Sequence, residues 1–200
     1  VLFNELTSTP STFQAERCVL AAHCLDEDSE LLQSDCLQAY IQSFLTELTF
    51  VELPQEWWLA KCFGKDGKPL FKRPVFRLRR ALYGHPRAGE HWHEKIAGVL
   101  KKHHCKEIEG WPSVYHSDVE NITLVLYVDD LVVKGPKKVI RKFLAEIRKE
   151  IEMDDPEMID KHLGIHHDYV VDKGSQTAGF DLEMCDFMKS CADAYVDKTG

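Results

Sequence analysis

The sequence contains no run of apolar residues close to the roughly 20 that are needed to cross a bilayer. Its first residues do not combine a basic stretch with a following apolar one, so no secretion signal is visible. It also lacks an initiator Met, from which we expect a segment of a longer protein. The seven cysteines include no Cys-x-x-Cys pair, and this odd set predicts free thiols in a reducing compartment.

Low-complexity tracts and internal repeats are absent as well. Hydrophobic residues make up 44% of the 200 residues and charged residues 29%, with only 11 Gly and 8 Pro. This composition excludes collagen-like and wholly disordered classes, and the length is sufficient for one domain with its own hydrophobic core. We therefore expect an ordinary globular protein.

The net charge of −8 argues at first against a nucleic-acid-binding protein, but the charges are segregated along the chain. Residues 18–60 hold eight acids and neither Lys nor Arg, whereas residues 61–80 hold eight basic residues and one acid. A second basic stretch covers residues 134–149, and the tail from residue 150 is acidic. The basic blocks fit either solvent-exposed surface or contacts with phosphate.

The pattern of apolar residues predicts helices and strands in alternation. Segment 39–45 is a short turn or helix, segment 57–73 is an exposed loop or hairpin tip, and residues 172–181 form a turn. The predicted order favours an α+β fold, with helices packed on one face of an antiparallel sheet. The predicted helices cover 12–25, 86–103, 137–151 and 183–196, and the strands cover 30–35, 74–78, 113–116, 122–133 and 162–171.

Two adjacent carboxylates interrupt the apolar segment 122–133, which predicts a buried hairpin with Asp129 and Asp130 at its bend. Burying two negative charges without a partner is costly, and Mg²⁺ is the natural partner because it prefers carboxylate oxygens. Asp35 ends a separate predicted strand and is the best candidate for a third carboxylate in a two-metal site. An Asp-Asp pair at a bend is equally consistent with simple turn chemistry.

Several ordered segments resemble the reverse transcriptases of copia-type LTR retrotransposons. Residues 127–130, Tyr-Val-Asp-Asp, resemble the Tyr-x-Asp-Asp signature of reverse transcriptases. Asp35, followed five residues later by Tyr40, resembles the first motif of the polymerase palm. The resemblance covers about residues 12–170 and extends to Ala-Leu-Tyr-Gly at 81–84, Trp92, and Leu163-Gly164.

This resemblance implies an RNA-directed DNA polymerase that transfers nucleotides to a primer 3′-hydroxyl with two Mg²⁺ ions, or Mn²⁺ in their place. Asp35 and Asp129 are then metal ligands, and Asp130 is the supporting acid of the same metal site. Tyr40 is the steric gate, whose ring excludes a ribose 2′-hydroxyl by collision. The fold implied is a palm-like antiparallel sheet with partial fingers.

The resemblance also implies roles outside the carboxylates. Tyr83 and Gly84 would approach the incoming nucleotide or the template, and Leu163 and Gly164 would form the primer grip. Arg87 stands where many copia-type enzymes have Gln, so its contact with nucleotide or template phosphate is a separate expectation. The basic residues of the fingers that bind the triphosphate are expected upstream of this chain.

The implied organisation is a palm with partial fingers over residues 1–171 and a C-terminal extension over 172–200. Expected partners are template and primer nucleic acid, dNTPs and the other parts of a Pol polyprotein, without a membrane. The expected location is the cytoplasm, including virus-like particles, or the nucleus. The alternatives are a truncated or inactive palm-like fold, and a zinc hydrolase, which the absence of a His-Glu-x-x-His pattern disfavours.

Overall fold

The computed structural model describes residues 9–174 and 177–199. The described helices are α1 Phe13–Cys24, α2 Ala39–Gln42, α3 Ala88–Lys102, α4 Ile140–Ile147 and α5 Cys185–Thr199. The described strands are β1 Ser29–Asp35, β2 Phe44–Glu52, β3 Val75–Arg80, β4 Lys106–Glu107, β5 Val114–Ser117, β6 Ile122–Tyr127, β7 Asp130–Pro136, β8 Glu157–Met158, β9 Lys161–His162, β10 Ile165–Asp172 and β11 Thr177–Glu183. Most helices and strands predicted from the sequence are present, with ends shifted by a few residues.

Six strands form the central sheet in the order β4-β5-β6-β7-β1-β8. Every neighbouring pair in this sheet is antiparallel. The hairpin of β6 and β7 fills the middle of the sheet, and β1 pairs along β7 from Ser29 opposite Pro136 to Asp35 opposite Asp130. This long pairing joins the two predicted acidic segments within one sheet.

Helices cover both faces of this sheet, which corrects the prediction of a single covered face. Side chains alternate along a strand, so Leu31 and Leu32 of β1 enter two different cores. Leu32 belongs to the core that contains Trp92 of α3 and Leu144 of α4. Leu31 belongs to the core that contains Val19 and Leu20 of α1. The uninterrupted apolar sequences of β6 and β7 are what a strand buried on both faces requires.

The two larger helices of the first core are amphipathic, as their spacing predicts. Helix α3 buries Trp92, Ile96 and Leu100. Its basic residues Lys101 and Lys102 lie in the last turn, where their positive charges interact favourably with the helix dipole. Helix α4 is shorter than the predicted segment 137–151, because the residues on either side of it, 137–139 and 148–150, form turns.

Strands β2 and β3 form a separate two-stranded sheet beside the central one. The intervening segment holds two short 3-10 helices, Gln55–Trp57 and Ala60–Cys62, in agreement with the predicted loop at 57–73. Strand β2 itself was not predicted. Its alternate residues Phe44, Leu48 and Phe50 are exposed, so the strand lacks the buried apolar face on which the prediction depends.

The last part of the described chain forms a three-stranded sheet, β11-β10-β9, followed by α5. The predicted turn at 172–181 is wrong in its second half, because Thr177 begins a strand that pairs with β10. Strand β10 ends at Asp172, one residue beyond the predicted boundary at residue 171. The division of the chain into a palm and a C-terminal extension stays a prediction. Among the described residues, no helix is long and apolar enough to span a membrane.

Candidate active site

The pairing of β1 with β7 places Asp35 directly opposite Asp130. Asp35 is the last residue of β1, and Asp130 is the first residue of β7 after the hairpin turn. The two carboxyl groups are close enough for each to influence the pKa of the other. The strand pairing therefore concentrates carboxyl groups at one end of β1 and β7.

The turn between β6 and β7 consists of Val128 and Asp129, because Tyr127 pairs with Asp130 across it. Val128 has a φ of 59°, which is unusual for a β-branched residue and costs roughly 1–3 kcal/mol. Two hydrogen bonds hold this turn. Trp92 Nε1 donates to the Val128 carbonyl at 2.6 Å, and the Cys36 amide donates to the Asp129 carbonyl at 2.8 Å.

Burial and mutual repulsion shift the acidity of these carboxyls. Burial raises the pKa of Asp35 above its usual range, and the charges of Asp129 and Asp154 raise it further. Burial also raises the pKa of Asp130; the nearby His162 opposes this shift, and Asp35 and Asp129 add to it. Carboxyl groups that raise one another's pKa form a negatively charged site, which a cation would stabilise.

The two paired acids open into a cleft of about 520 Å³. Two hydrogen bonds fix Asp154, on one wall of the cleft, to β1. The Asp154 amide donates to the Asp35 carbonyl at 2.9 Å, and Ser34 Oγ donates to the Asp154 carbonyl at 2.9 Å. The cleft is lined by Gln33, Ser34, Asp35, Asp130, Asp154, Asp155, Glu157, Lys161 and His162. Sequence reasoning did not find Asp154 or Asp155, because no motif distinguishes them from other acids of the tail.

His162 was also missed as a feature of this cleft. Its Nδ1 donates to Glu16 Oε1 of α1 at 2.9 Å, and His167 Nε2 donates to the same oxygen at 3.1 Å. All three side chains are buried. Burial alone would raise the pKa of Glu16, but the two hydrogen bonds outweigh it and lower this pKa to about 2. Only the tertiary structure brings together groups so far apart along the chain.

Tyr40 lies in the one-turn helix α2, and its ring packs against the ring of Tyr83 with centroids 4.7 Å apart. Burial raises the pKa of Tyr40, and the charges of Asp129 and Tyr83 add to this shift. Gly84, with a φ of 89°, supplies the left-handed residue that the turn after Tyr83 requires. The predicted nucleotide-contacting residues Tyr40 and Tyr83 therefore lie together.

The guanidinium of Arg87 is engaged with carboxylates. It donates to both oxygens of Glu90 at 2.6 and 2.8 Å and to Glu47 at 3.3 Å. The hydrogen bonds that Arg87 donates to Glu90 raise the pKa of Arg87, which keeps its side chain positively charged. Its contact with phosphate stays a prediction, and it would compete with these two ion pairs.

Leu163 and Gly164 form the two-residue turn between β9 and β10. Both residues have positive φ, at 49° and 80°, as in the type I′ turns that favour hairpins. The adjoining residues Lys161 and His162 line the acidic cleft, so this turn lies at the edge of the cleft. Its role as a primer grip stays a prediction.

No three His, Cys, Asp or Glu side chains converge in a geometry that would hold a metal ion, within residues 9–174 and 177–199. The predicted metal ligands are nevertheless neighbours. Asp35 and Asp130 lie directly opposite each other, and Asp129 is close enough for its charge to act on both.

A family model described as reverse transcriptase (RNA-dependent DNA polymerase) matches residues 3–195. Among curated proteins, the chain is 29% identical over 157 residues to the retrovirus-related Pol polyprotein from transposon TNT 1-94 of Nicotiana tabacum, covering 76% of this chain and 11% of the relative. It is 28% identical over 146 residues to the transposon Ty1-BL Gag-Pol polyprotein of Saccharomyces cerevisiae, covering 65% of this chain and 8% of the relative.

The chain thus spans about a tenth of the length of these relatives. No solved structure matches it. The family match extends over nearly the whole chain and includes the Asp35–Asp130 pair, the hairpin turn and the Tyr40–Tyr83 contact. The chain belongs to the reverse transcriptase (RNA-dependent DNA polymerase) family, in its copia-type branch.

Proposed function

We propose that this chain forms the centre of an RNA-directed DNA polymerase that transfers nucleotides to a primer 3′-hydroxyl. The observation that carries this proposal is the pairing of Asp35 with Asp130 beside the strained Val128–Asp129 turn. Three acids gathered at the ends of two neighbouring strands are suited to a reaction in which a phosphoryl group passes between two oxygens.

The residues present fit divalent cations. Mg²⁺ usually takes one or two carboxylates from the protein and completes its shell with water and substrate phosphates, so the acid pair does not need a third protein ligand in place. Asp35 and Asp129 would hold the ions, with Asp130 in support. Two bound ions, Mg²⁺ or Mn²⁺, supply charge that activates the primer hydroxyl and neutralises the leaving pyrophosphate.

The surface of the two-stranded sheet formed by β2 and β3 supports the proposal of a nucleic-acid partner. Phe50 pairs with Arg77 across the two strands, so a ring and a guanidinium share one face. The Arg80 guanidinium lies over the Phe44 ring, 4.5 Å from its centre. Exposed rings and cations on a ribbon are typical of surfaces on which single-stranded bases stack. We assign these rings and guanidinium groups to contacts with the template or primer strand.

The selection of dNTPs is assigned to Tyr40. Its ring lies near the Asp129 turn, where the sugar of an incoming nucleotide would sit above it. A bulky ring at that place rejects a ribose by collision with the 2′-hydroxyl. The working protein is proposed to include the other parts of a Pol polyprotein, in the cytoplasm or in virus-like particles.

The test is primer extension on an RNA template with Mg²⁺ and dNTPs. Asp35→Asn and Asp129→Ala are compared with the unaltered chain, and Asp197→Asn in the exposed part of α5 is the matched control. We expect both active-site variants to lose activity by at least about a hundredfold, since removing a residue that only orients a metal ligand already costs about 10–100-fold. The control should keep it.

A parallel assay joins the chain to the flanking Pol segments of the tobacco relative. Synthesis only by the joined protein, with the same loss in the Asp129→Ala variant, would show that the chain supplies the catalytic centre but needs neighbouring segments for positioning. Synthesis by neither protein would refute the proposal and favour the inactive, palm-like alternative.

A further inference from the structure

The contact between Tyr40 and Tyr83 leads beyond the assignment of Tyr40 as the sugar-selecting residue. The two rings meet at a centroid separation of 4.7 Å with an angle of 57° between their planes. Such tilted pairs are attractive beyond the area they bury. The Tyr83 side chain is 61% exposed, so its ring contributes little to the hydrophobic core. It packs against the ring of Tyr40.

Helix α2 gives the Tyr40 ring little support of its own. It is a single turn, and it follows Gln38, whose φ of 49° lies in the left-handed region. An isolated helical turn is not stable without tertiary contacts. The orientation of the Tyr40 ring therefore depends on the groups that pack against it, which are two hydrophobic clusters and the ring of Tyr83.

The turn that carries Tyr83 is, by contrast, well anchored. The Ala81 amide donates to the Ser43 carbonyl at 3.1 Å, which ties this turn to the end of α2. Ala81 is fully buried, and the His85 amide closes the turn by donating to the Leu82 carbonyl at 3.0 Å. The backbone thus fixes the position of Tyr83 relative to Tyr40 even though the Tyr83 ring is exposed.

We propose that Tyr83 is a positioning residue that holds the Tyr40 ring in place and thereby sets how strictly ribonucleotides are rejected. Without the Tyr83 ring, the Tyr40 side chain gains rotamers that tilt it out of the path of a 2′-hydroxyl. This inference rests on the proposed polymerase function and on the assignment of Tyr40 as the steric gate.

The experiment compares Tyr83→Ala, Tyr83→Phe and Tyr40→Ala with the unaltered sequence, in whichever protein of the preceding section synthesises DNA. The ratio of kcat/KM for ATP to that for dATP is measured on a template that calls for A. We expect Tyr83→Ala to raise this ratio about fivefold, the size of effect that losing an aromatic pair produces. Tyr83→Phe should leave it unchanged, and Tyr195→Ala in exposed α5 is the control.

A ratio that stays constant while kcat/KM falls equally for both nucleotides would overturn the inference, because it would make Tyr83 a plain binding residue. The ring contact has its own readout. The NMR signal of the labelled Tyr40 ring should move in Tyr83→Ala and stay in place in Tyr83→Phe. An unmoved signal in Tyr83→Ala would also overturn the inference.

Failure of the proposed polymerase function can be distinguished from failure of the proposed role of Tyr83. If no protein extends a primer, equilibrium binding of dATP and ATP to the 200-residue chain in the presence of Mn²⁺ replaces the kinetic ratio. A preference for dATP that weakens in Tyr83→Ala would support the role of Tyr83 even though polymerisation had failed. Equal binding of dATP and ATP, or a preference that Tyr83→Ala does not change, would refute it.

Discussion

Asp35 and Asp130 lie opposite each other at the end of the β1–β7 pairing, where each carboxyl group influences the pKa of the other. Both groups have a raised pKa, because burial and the neighbouring acids disfavour a second negative charge. The same arrangement that suits a divalent cation therefore weakens the fold when no cation is bound. Enzyme sites commonly carry such a cost in stability.

The first prediction concerns Asp35→Asn. A carboxyl whose pKa is raised in the folded protein favours folding at low pH, and this contribution is lost as the pH rises through the folded-state pKa. Asp35 is exposed, so solvent screening limits the effect: at pH 7 without divalent cations we expect the variant to melt about 1–2 °C higher, the shift that about 0.5 kcal/mol produces at this chain length. Thermal unfolding followed by circular dichroism measures it.

The same variant should lose the increase in melting temperature that Mg²⁺ or Mn²⁺ gives to the unaltered protein, since a ligand that binds the folded state stabilises it. Asp197→Asn serves as the control for removing one negative charge. An equal gain from Mn²⁺ in the unaltered protein and in Asp35→Asn would contradict the metal assignment.

The second prediction concerns Trp92→Phe. Trp92 is 2% exposed, and its Nε1 holds the Val128 carbonyl at 2.6 Å. Phe removes this donor and leaves the half-buried carbonyl without it, which we expect to cost about 1–3 kcal/mol of unfolding free energy. Urea unfolding measures the loss, and Trp57→Phe, at a 69% exposed position, is the matched control.

Because the Val128–Asp129 turn carries a strained φ, losing the Trp92 hydrogen bond should also displace Asp129. We expect DNA synthesis to fall more than the lost stability explains, at temperatures where the variant is fully folded. Unchanged synthesis by folded Trp92→Phe would show that the hydrogen bond supports the fold alone.

The third prediction concerns Glu16, which has a pKa lowered to about 2 by His162 and His167. A carboxyl with a lowered pKa contributes stability above its ordinary pKa of 4.5, and this contribution is lost as the pH falls toward 2. Glu16→Gln should therefore lower the unfolding free energy at pH 7 by roughly 3 kcal/mol.

The same variant should flatten the decline of stability between pH 4.5 and pH 2. Urea unfolding across this range measures both effects, and Glu109→Gln at an exposed site is the control. If the unfolding free energy of the variant fell between pH 4.5 and pH 2 as steeply as that of the unaltered protein, Glu16 would not bridge the two imidazoles.

The fourth prediction compares one substitution at two glycines. A Cβ at Gly135 in β7 would lie 2.7 Å from Ile122 Cγ1 and 3.5 Å from Ile140 Cβ, whereas a Cβ at Gly98 in α3 meets nothing within 4 Å. We expect Gly135→Ala to cost about 1–3 kcal/mol through overpacking. Gly98→Ala should stabilise by about 0.5–1 kcal/mol through helix propensity. Calorimetry of both variants separates the two effects.

What the sequence by itself determined is local. The four-residue spacing of apolar residues in α3, the apolar segments of β6 and β7 and the short motif at 127–130 each act within one helix or hairpin, so they are readable from neighbouring residues. These features were sufficient to predict the hairpin that carries Asp129 and the strand that ends at Asp35.

Only the tertiary structure decided how these pieces meet. The β1–β7 pairing placed Asp35 against Asp130, and the alternation of Leu31 and Leu32 required helices on both faces of the sheet. The burial of Glu16 with His162 likewise depends on residues far apart in the chain. Such contacts follow from strand pairing and shared burial, which a one-dimensional pattern of hydrophobicity does not encode.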